Sequence, residues 1–183
     1  MSNEGIERRQ KTAESLSRYN LKSQDDLISI AIIIDNLSLS QLSILTINEV
    51  NKLCLDYIGV NLHIFTEDLI PPCKTINCPA VGIQDLYHFN QYAIATSLST
   101  LESAISSRAK KIFYYVFDIT EFTDYTNLSR ITKALKDDRI SIIARCPDYR
   151  DIINCELQSE ICSWVVKDLD LGEFVRIISN EKE

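Results

Sequence analysis

Apolar runs and helix-like segments alternate along the chain from residue 27 to residue 179. The first run, 27–34 (LISIAIII), is almost entirely apolar and rich in β-branched side chains, a pattern typical of a strand buried on both faces. Since helical segments follow most of the apolar runs, the pattern predicts right-handed βαβ crossovers and a parallel sheet. The further strands are predicted at 60–65, 91–96, 110–118, 139–145 and 163–167.

Helices are predicted between the strands, where apolar side chains recur at helical spacing. In the first helix, Ser38 and Gln41 have the spacing of an N-terminal capping box, and Ser99 with Glu102 repeats that spacing in the second. The prolines in segment 66–82 exclude a continuous helix or a central strand, so a loop is predicted there. The remaining elements are a short helix or turn at 83–89, helices at 126–138 and 147–157, and a closing helix or extended tail at 169–179.

These elements predict a fold of the α/β class. We expect a single Rossmann-like, doubly wound domain over residues 26–183, with about six mostly parallel strands and helices on both faces of the sheet. Residues 1–25 are polar, which predicts an N-terminal arm or a packed first helix. No internal repeat and no linker rich in Gly, Pro or Ser divides the chain.

The predicted sheet identifies candidate site residues without the help of a motif. In an open parallel sheet, ligands bind beyond the carboxyl ends of the strands, at the point where the strand order reverses. No motif assigns a catalytic role or a metal site to the residues there, and no cofactor is predicted. The ligand-binding candidates are Asp35, Asn36, Ser38, Thr96, Ser97, Asp118, Glu121 and Arg145.

Each candidate has a structural explanation beside the functional one. The hydroxyls of Thr96 and Ser97 could bind an anion at a helix N-terminus, or they could cap that helix. Asp118 and Glu121 could hold a metal or act as a general-base pair, although two acids in a loop are more often simply solvated. Arg145 could bind a phosphate or a partner's carboxylate, or it could pair with Asp118.

Several enzyme classes require motifs that the chain lacks. The turn after the first strand, IDNLSLS, contains no glycine, and Asp35 in it would repel a phosphate, so NAD or FAD binding is not expected. The chain also lacks a P-loop and the G-x-S-x-G elbow of a hydrolase triad. Its 6 cysteines include one close pair, Cys73 and Cys78, so no structural zinc site is predicted and the thiols are expected to be reduced.

Charge and composition narrow the expected partners and compartment. The formal net charge of the 183-residue chain is −7, which argues against nucleic-acid binding because phosphate neutralisation requires a basic face. No apolar run could span a membrane, and the first residues lack the apolar core of a secretory signal, so a cytoplasmic protein with no membrane partner is expected. The chain has 26 Ile and 9 Ala, a bias produced by AT-rich genomes, so a phage protein in the host cytoplasm is one expectation.

Three segments carry a family resemblance. ISIAIIIDNLSLSQLSILTINEVNKL, QYAIATSLSTLESAI and KIFYYVFDITEF followed by SIIARCPDY resemble the N-terminal Rossmann-like half of the two-domain (GT-B) glycosyltransferases, in the style found in phages. The resemblance covers residues 27–179 and is one of strand–helix rhythm, with no specific motif shared. It implies a single-domain relative without the nucleotide-sugar site, which these enzymes carry in their second half.

Two functional hypotheses follow. The first is a non-catalytic α/β binding or protein-interaction module that contacts a protein partner through its acidic surface or forms a homodimer, and the absence of catalytic motifs favours it. The alternative is a glycosyltransferase-like or nucleotide-binding enzyme that binds a nucleotide or nucleotide sugar through the polar residues at the strand ends. Only the fold resemblance supports the alternative.

Overall fold

A computed structural model gives the fold and describes residues 27–56, 59–68 and 70–180. Seven strands lie among these residues: β1 (Ile28–Asn36), β2 (Val60–Asp68), β3 (Ala80–Gly82), β4 (Tyr92–Ala95), β5 (Lys111–Val116), β6 (Ile140–Ala144) and β7 (Trp164–Val165). They form one sheet in the order β3-β2-β1-β4-β5-β6-β7, and every neighbouring pair is parallel.

Helices connect most of the strands. The α-helices of the described residues are α1 (Gln41–Asp56), α2 (Leu98–Ile105), the one-turn α3 (Thr120–Thr123), α4 (Tyr125–Ala134), α5 (Pro147–Glu156) and α6 (Leu171–Asn180). Two 3₁₀ helices, Ile83–His88 and Lys167–Leu169, precede β4 and α6. Within the described residues, no helix has the length and apolar character needed to cross a membrane.

The sheet is covered on both faces, because successive side chains of a strand point to opposite sides. In β1, Ile30 and Ile32 belong to one apolar cluster, which also contains residues of α1 and α6. Ala31 and Ile33 belong to a second cluster, which contains residues of α2, α4 and α5. The predicted doubly wound α/β architecture, with a buried apolar β1, is therefore confirmed.

The strand order reverses between β1 and β4. β1 pairs with β2 on one side and with β4 on the other, with Ile33 opposite both Phe65 and Ala95. The helices that follow these two strands, α1 and α2, pack on opposite faces of the sheet. The loops after β1 and β4 consequently diverge, and they bound the crevice in which folds of this kind bind their ligands.

The prediction of about six strands is wrong by one. The additional strand, β3, lies in the segment 66–82 that was predicted to be a loop, and it pairs with the end of β2 at the edge of the sheet. Pro79 directly precedes it, and a three-residue edge strand shows no periodic pattern by which a sequence could reveal it. The predicted arm or first helix at 1–25 lies outside the described residues.

Both predicted capping boxes are shifted by two residues. The cap of α1 is Ser40, whose Oγ accepts a hydrogen bond from the amide of Ser43 at 3.1 Å. The cap of α2 is Ser97, which forms a capping box with Thr100. The observed caps are followed three residues later by Ser43 and Thr100, not by Glu or Gln, so Ser38 and Ser99 match the sequence pattern better than the residues that cap the helices.

Candidate functional site

The crevice between β1 and β4 brings Asp35 and Ser97 together. Asp35 lies near the end of β1, and its Oδ1 accepts a hydrogen bond from Ser97 Oγ at 2.9 Å. Ser97 Oγ also accepts from the amide of Thr100, while Thr100 Oγ1 accepts from the amide of Ser97 at 2.9 Å. One hydroxyl therefore caps α2 and contacts a carboxylate, so the capping and binding explanations of Ser97 both describe part of its geometry.

The N-terminus of α2 is occupied by a carboxylate of the same chain. The amide of Leu98, the first residue of α2, donates to Glu121 Oε1 at 2.9 Å. The Tyr114 hydroxyl donates to the other carboxylate oxygen of Glu121. Since the partial positive charge at a helix N-terminus stabilises an anion, Glu121 takes the position at which an external anion would bind at the N-terminus of α2.

Further acids approach the same end of the sheet from its neighbouring strands. Glu67 Oε1, at the end of β2, accepts a hydrogen bond from Ser99 Oγ at 2.5 Å. Asp118 follows β5, and its Oδ1 accepts from the amide of Thr120 at 2.9 Å. These contacts stabilise carboxylates with hydroxyl and amide donors of the chain itself, which leaves the edge of the sheet strongly acidic.

Burial and mutual repulsion raise the pKa values of two of these carboxyls. The pKa of Asp35 is raised above its usual value by burial, and the charges of Glu67 and Asp68 add to this, against the hydrogen bond from Ser97. The pKa of Glu121 is also raised by burial, against the bonds from Tyr114 and Leu98. Perturbed acids in a crevice are typical of sites that bind ligands or transfer protons, although structural networks also produce them.

Three other candidates serve the local structure. The Oδ1 of Asn36 accepts from both the amide and the hydroxyl of Ser38, which shapes the turn into α1. Thr96 is buried, and its Oγ1 donates to the carbonyl of Ile33 at 2.9 Å, so it fastens the end of β4 to β1. Asn36, Ser38 and Thr96 therefore lie beside the crevice, and their polar side-chain atoms form hydrogen bonds within the chain.

Arg145 lies further along the sheet, after β6. Its Nη2 is 3.4 Å from Asp168 Oδ1, and its guanidinium carbon is 4.5 Å from the ring centre of Phe117. The partner of Arg145 is therefore Asp168, and the pairing with Asp118 that the sequence suggested is not formed. None of the contacts that define the α2 N-terminus involves Arg145, so this cation does not neutralise Asp35 or Glu121 there.

Tyr114 is the contributor to this crevice that sequence reasoning missed. It lies inside the apolar strand β5 and is fully buried, so the pattern marks it as a core residue. Burial and the neighbouring Glu121 raise the pKa of its hydroxyl, which stays protonated and donates. The alternation of side chains along β5 predicts that Tyr114 points to the face of the sheet covered by α2. Its hydrogen-bond partner, Glu121, could not be predicted because it depends on the path of α3.

No group of three His, Cys, Asp or Glu side chains within the described ranges is arranged to hold a metal ion. One cavity of about 310 Å³ lies between α2 and α4, where it is bordered by the ion pair of Glu102 and Arg130, on the helical layer and away from the crevice. Comparisons of the chain with protein-family models, with curated proteins and with solved structures find no match.

Proposed function

We propose that the protein is a non-catalytic α/β interaction module of the cytoplasm, which binds a protein partner through the acidic carboxyl edge of its sheet. The observation that carries this proposal is the contact of Glu121 with the amide of Leu98 at 2.9 Å. This contact fills the anion position at the N-terminus of α2, on one side of the crevice, from within the chain. What remains accessible at the edge is carboxylate, which suits a cationic protein surface.

Binding of a nucleotide phosphate would require two unfavourable steps. A phosphate bound at the N-terminus of α2 would have to displace Glu121, and it would then lie near Asp35, Glu67 and Asp118. Like charges at such short range cost several kcal/mol unless cations compensate. The turn after β1 has no glycine, so a close approach of the backbone to a pyrophosphate is also impeded.

A ligand screen tests the proposal. Thermal unfolding is measured with nucleoside diphosphates and UDP-sugars, each with and without Mg²⁺, and we expect no ligand-dependent rise in Tm. In parallel, a lysine-rich peptide is titrated into the protein at low and high salt, with a glutamate-rich peptide of equal length as the control. Salt-sensitive binding of the lysine peptide alone is the expected result, and a saturable rise in Tm with a nucleotide would overturn the proposal.

One observation favours the alternative, a glycosyltransferase-like or nucleotide-binding enzyme. Asp35 and Glu121 are carboxyls with raised pKa values at the switch point, where a general acid or base, or a ligand of sugar hydroxyls, would lie. Its test is the same screen repeated with Asp35→Asn. A UDP-sugar effect that is present in the wild type and lost in this variant would establish the alternative, since the substitution removes the carboxylate without removing volume.

A further inference from the structure

Charge is segregated between the two ends of the sheet. The end that contains the carboxyl termini of β2, β1, β4 and β5, here named the acidic edge, carries the carboxyls of Asp35, Glu67, Asp68, Asp118, Glu121 and Asp124. Glu67, Asp68 and Asp118 are exposed. The cations at this end include Lys74, which follows Cys73 beside Leu37 and donates to Asn48 at 3.1 Å. They also include Arg145 and Lys167 near β6 and β7, where Arg145 is paired with Asp168.

The opposite end of the sheet is basic where β5 and β6 begin. Arg108 and Lys110 occupy the turn before β5, and Lys136 the turn before β6, and all three are exposed. The two turns lie side by side, since the Nη1 atom of Arg139 donates to the carbonyls of Ser107 and Ala109. The acids of this region include Asp137, which is paired with Arg139 at 2.6 Å, Asp138, and the exposed Asp85 of the 3₁₀ helix before β4.

Aromatic rings lie under two of these cations. The guanidinium carbon of Arg108 is 5.2 Å from the ring centre of Tyr87, and Lys110 Nζ is 6.0 Å from that of Tyr92. Tyr87 is 54% exposed, so the ring and the cation together offer a surface. Tyrosine and arginine are the residues that most often dominate the energy of protein interfaces. We name Tyr87, Arg108, Lys110 and Lys136 the basic patch.

We propose that the basic patch of one molecule docks onto the acidic edge of a second copy of the chain, so that molecules associate head to tail. Charge complementarity carries this inference, because the two ends of the same sheet present opposite charges. A nucleic acid fits the patch less well, since non-specific binding comes from the neutralisation of many phosphates, and the patch offers only Arg108, Lys110 and Lys136 for it. The inference rests on the proposed function, and it identifies the protein partner as a second copy of the chain.

Head-to-tail contact is heterologous, so it produces rings or open filaments instead of a closed twofold dimer. Its two surfaces are different parts of the molecule and can be changed separately. The overall charge of −7 opposes association over long range. At physiological salt that repulsion is screened beyond about 8 Å, whereas contacts within the interface persist.

The test measures molar mass by light scattering and sedimentation velocity over a concentration series. In about 50 mM NaCl we expect species heavier than the monomer, and in about 500 mM NaCl mainly monomer. Arg108→Glu with Lys110→Glu should weaken self-association by about tenfold or more. Lys52→Glu with Arg176→Glu is the matched control. It changes the net charge by the same amount, but at positions in α1 and α6 outside both surfaces, so it should leave the association unchanged.

A charge swap gives the decisive comparison. Glu67→Lys with Asp118→Lys should weaken association to a similar degree, and combining these changes with Arg108→Glu and Lys110→Glu in one chain should restore it. Circular dichroism and thermal unfolding establish that each variant is folded. A wild type that is monomeric at low salt, or a swapped chain that stays monomeric while folded, overturns the head-to-tail inference. Neither result affects the proposed function, which the nucleotide screen and the peptide titration test separately.

Discussion

At the scale of single residues, two buried threonine hydroxyls have opposite surroundings. Thr100 Oγ1 accepts hydrogen bonds from the amides of Thr96 and Ser97, both at 2.9 Å. Thr46 Oγ1, in α1, is buried and has no hydrogen-bond partner among the described residues. A buried hydroxyl without a partner loses its hydrogen bonds to water and forms none in the protein. Thr100 therefore stabilises α2, whereas the hydroxyl of Thr46 destabilises α1.

Thr46→Val should therefore stabilise the protein by about 1 kcal/mol, because it replaces the unpaired hydroxyl with a methyl group of similar size. Thr100→Val is the matched control and should destabilise it by about 1–3 kcal/mol, since two buried amides lose their acceptor. Urea unfolding measures both effects. A destabilised Thr46→Val variant would show that this hydroxyl has a partner after all.

Glu121 gives the stability of the fold a defined pH dependence. Because burial raises its pKa, the folded chain binds this proton more tightly than the unfolded chain. The stabilisation is fully present below the ordinary carboxyl pKa of 4.5 and is lost as the pH rises through the raised value. Glutamine does not titrate, so this loss should be missing in Glu121→Gln.

The direction of this pH dependence is checked by measuring the unfolding free energies of the wild type and Glu121→Gln from about pH 4 to pH 8. The difference between them should shift in favour of the variant as the pH rises. Glu156→Gln, on the exposed side of α5, controls for the removal of one charge. A difference that does not change with pH would contradict the raised pKa.

At the scale of elements, one arginine joins two successive turns. Arg139 Nη2 donates to the carbonyl of Ile105 at 2.9 Å, its Nη1 donates to those of Ser107 and Ala109, and its Nε donates to Asp137 at 2.9 Å. The guanidinium thus satisfies carbonyls at the C-terminus of α2, where a positive charge is also favoured by the helix dipole.

Arg139→Met should therefore cost about 2 kcal/mol or more, since several carbonyls lose a charged donor together. Arg130→Met is the comparison, because its ion pair with Glu102 is exposed and should contribute at most about 1 kcal/mol. Chemical denaturation of both variants measures the two costs. Equal effects would refute the capping role of Arg139.

The central strands provide a second prediction at this scale. Ile32 in β1 and Phe113 in β5 are both fully buried. A carboxylate introduced at either position finds no partner and costs several kcal/mol, so Ile32→Asp or Phe113→Asp should abolish soluble expression. Asn61→Asp, on the exposed side of β2, adds the same charge and should be expressed normally. Wild-type melting behaviour of Ile32→Asp would place β1 outside the core.

At the scale of the whole molecule, the sheet and its ligand end were predictable from sequence and the contacts at that end were not. β-branched runs such as ISIAIII identify buried strands because few other structures bury every side chain. Parallel-sheet geometry then places Asp35 beside Ser97, as the structure shows. The contact of Glu121 with Leu98 depends on the one-turn helix α3, which is too short to leave a periodic signal.

The cysteines provide a prediction for the whole chain. All 6 are free in the structure, and their environments differ. Cys155 is exposed, whereas burial raises the pKa of Cys162 to about 11, so its thiolate is scarce at neutral pH. Titration with a thiol reagent should find six groups after denaturation, with Cys155 reacting early and Cys162 late in the native protein. Fewer than six would reveal a disulfide or a bound metal.

The position of β1 between β2 and β4 also has a consequence during synthesis. β1 is the first of the described strands to leave the ribosome, and β4 follows only several tens of residues later. At a synthesis rate of about 5–20 residues per second, the edge of β1 that pairs with β4 stays unpaired for seconds until β4 has been synthesised. We expect the nascent chain to be a substrate for chaperones during that interval, although the finished domain buries every isoleucine of the strand.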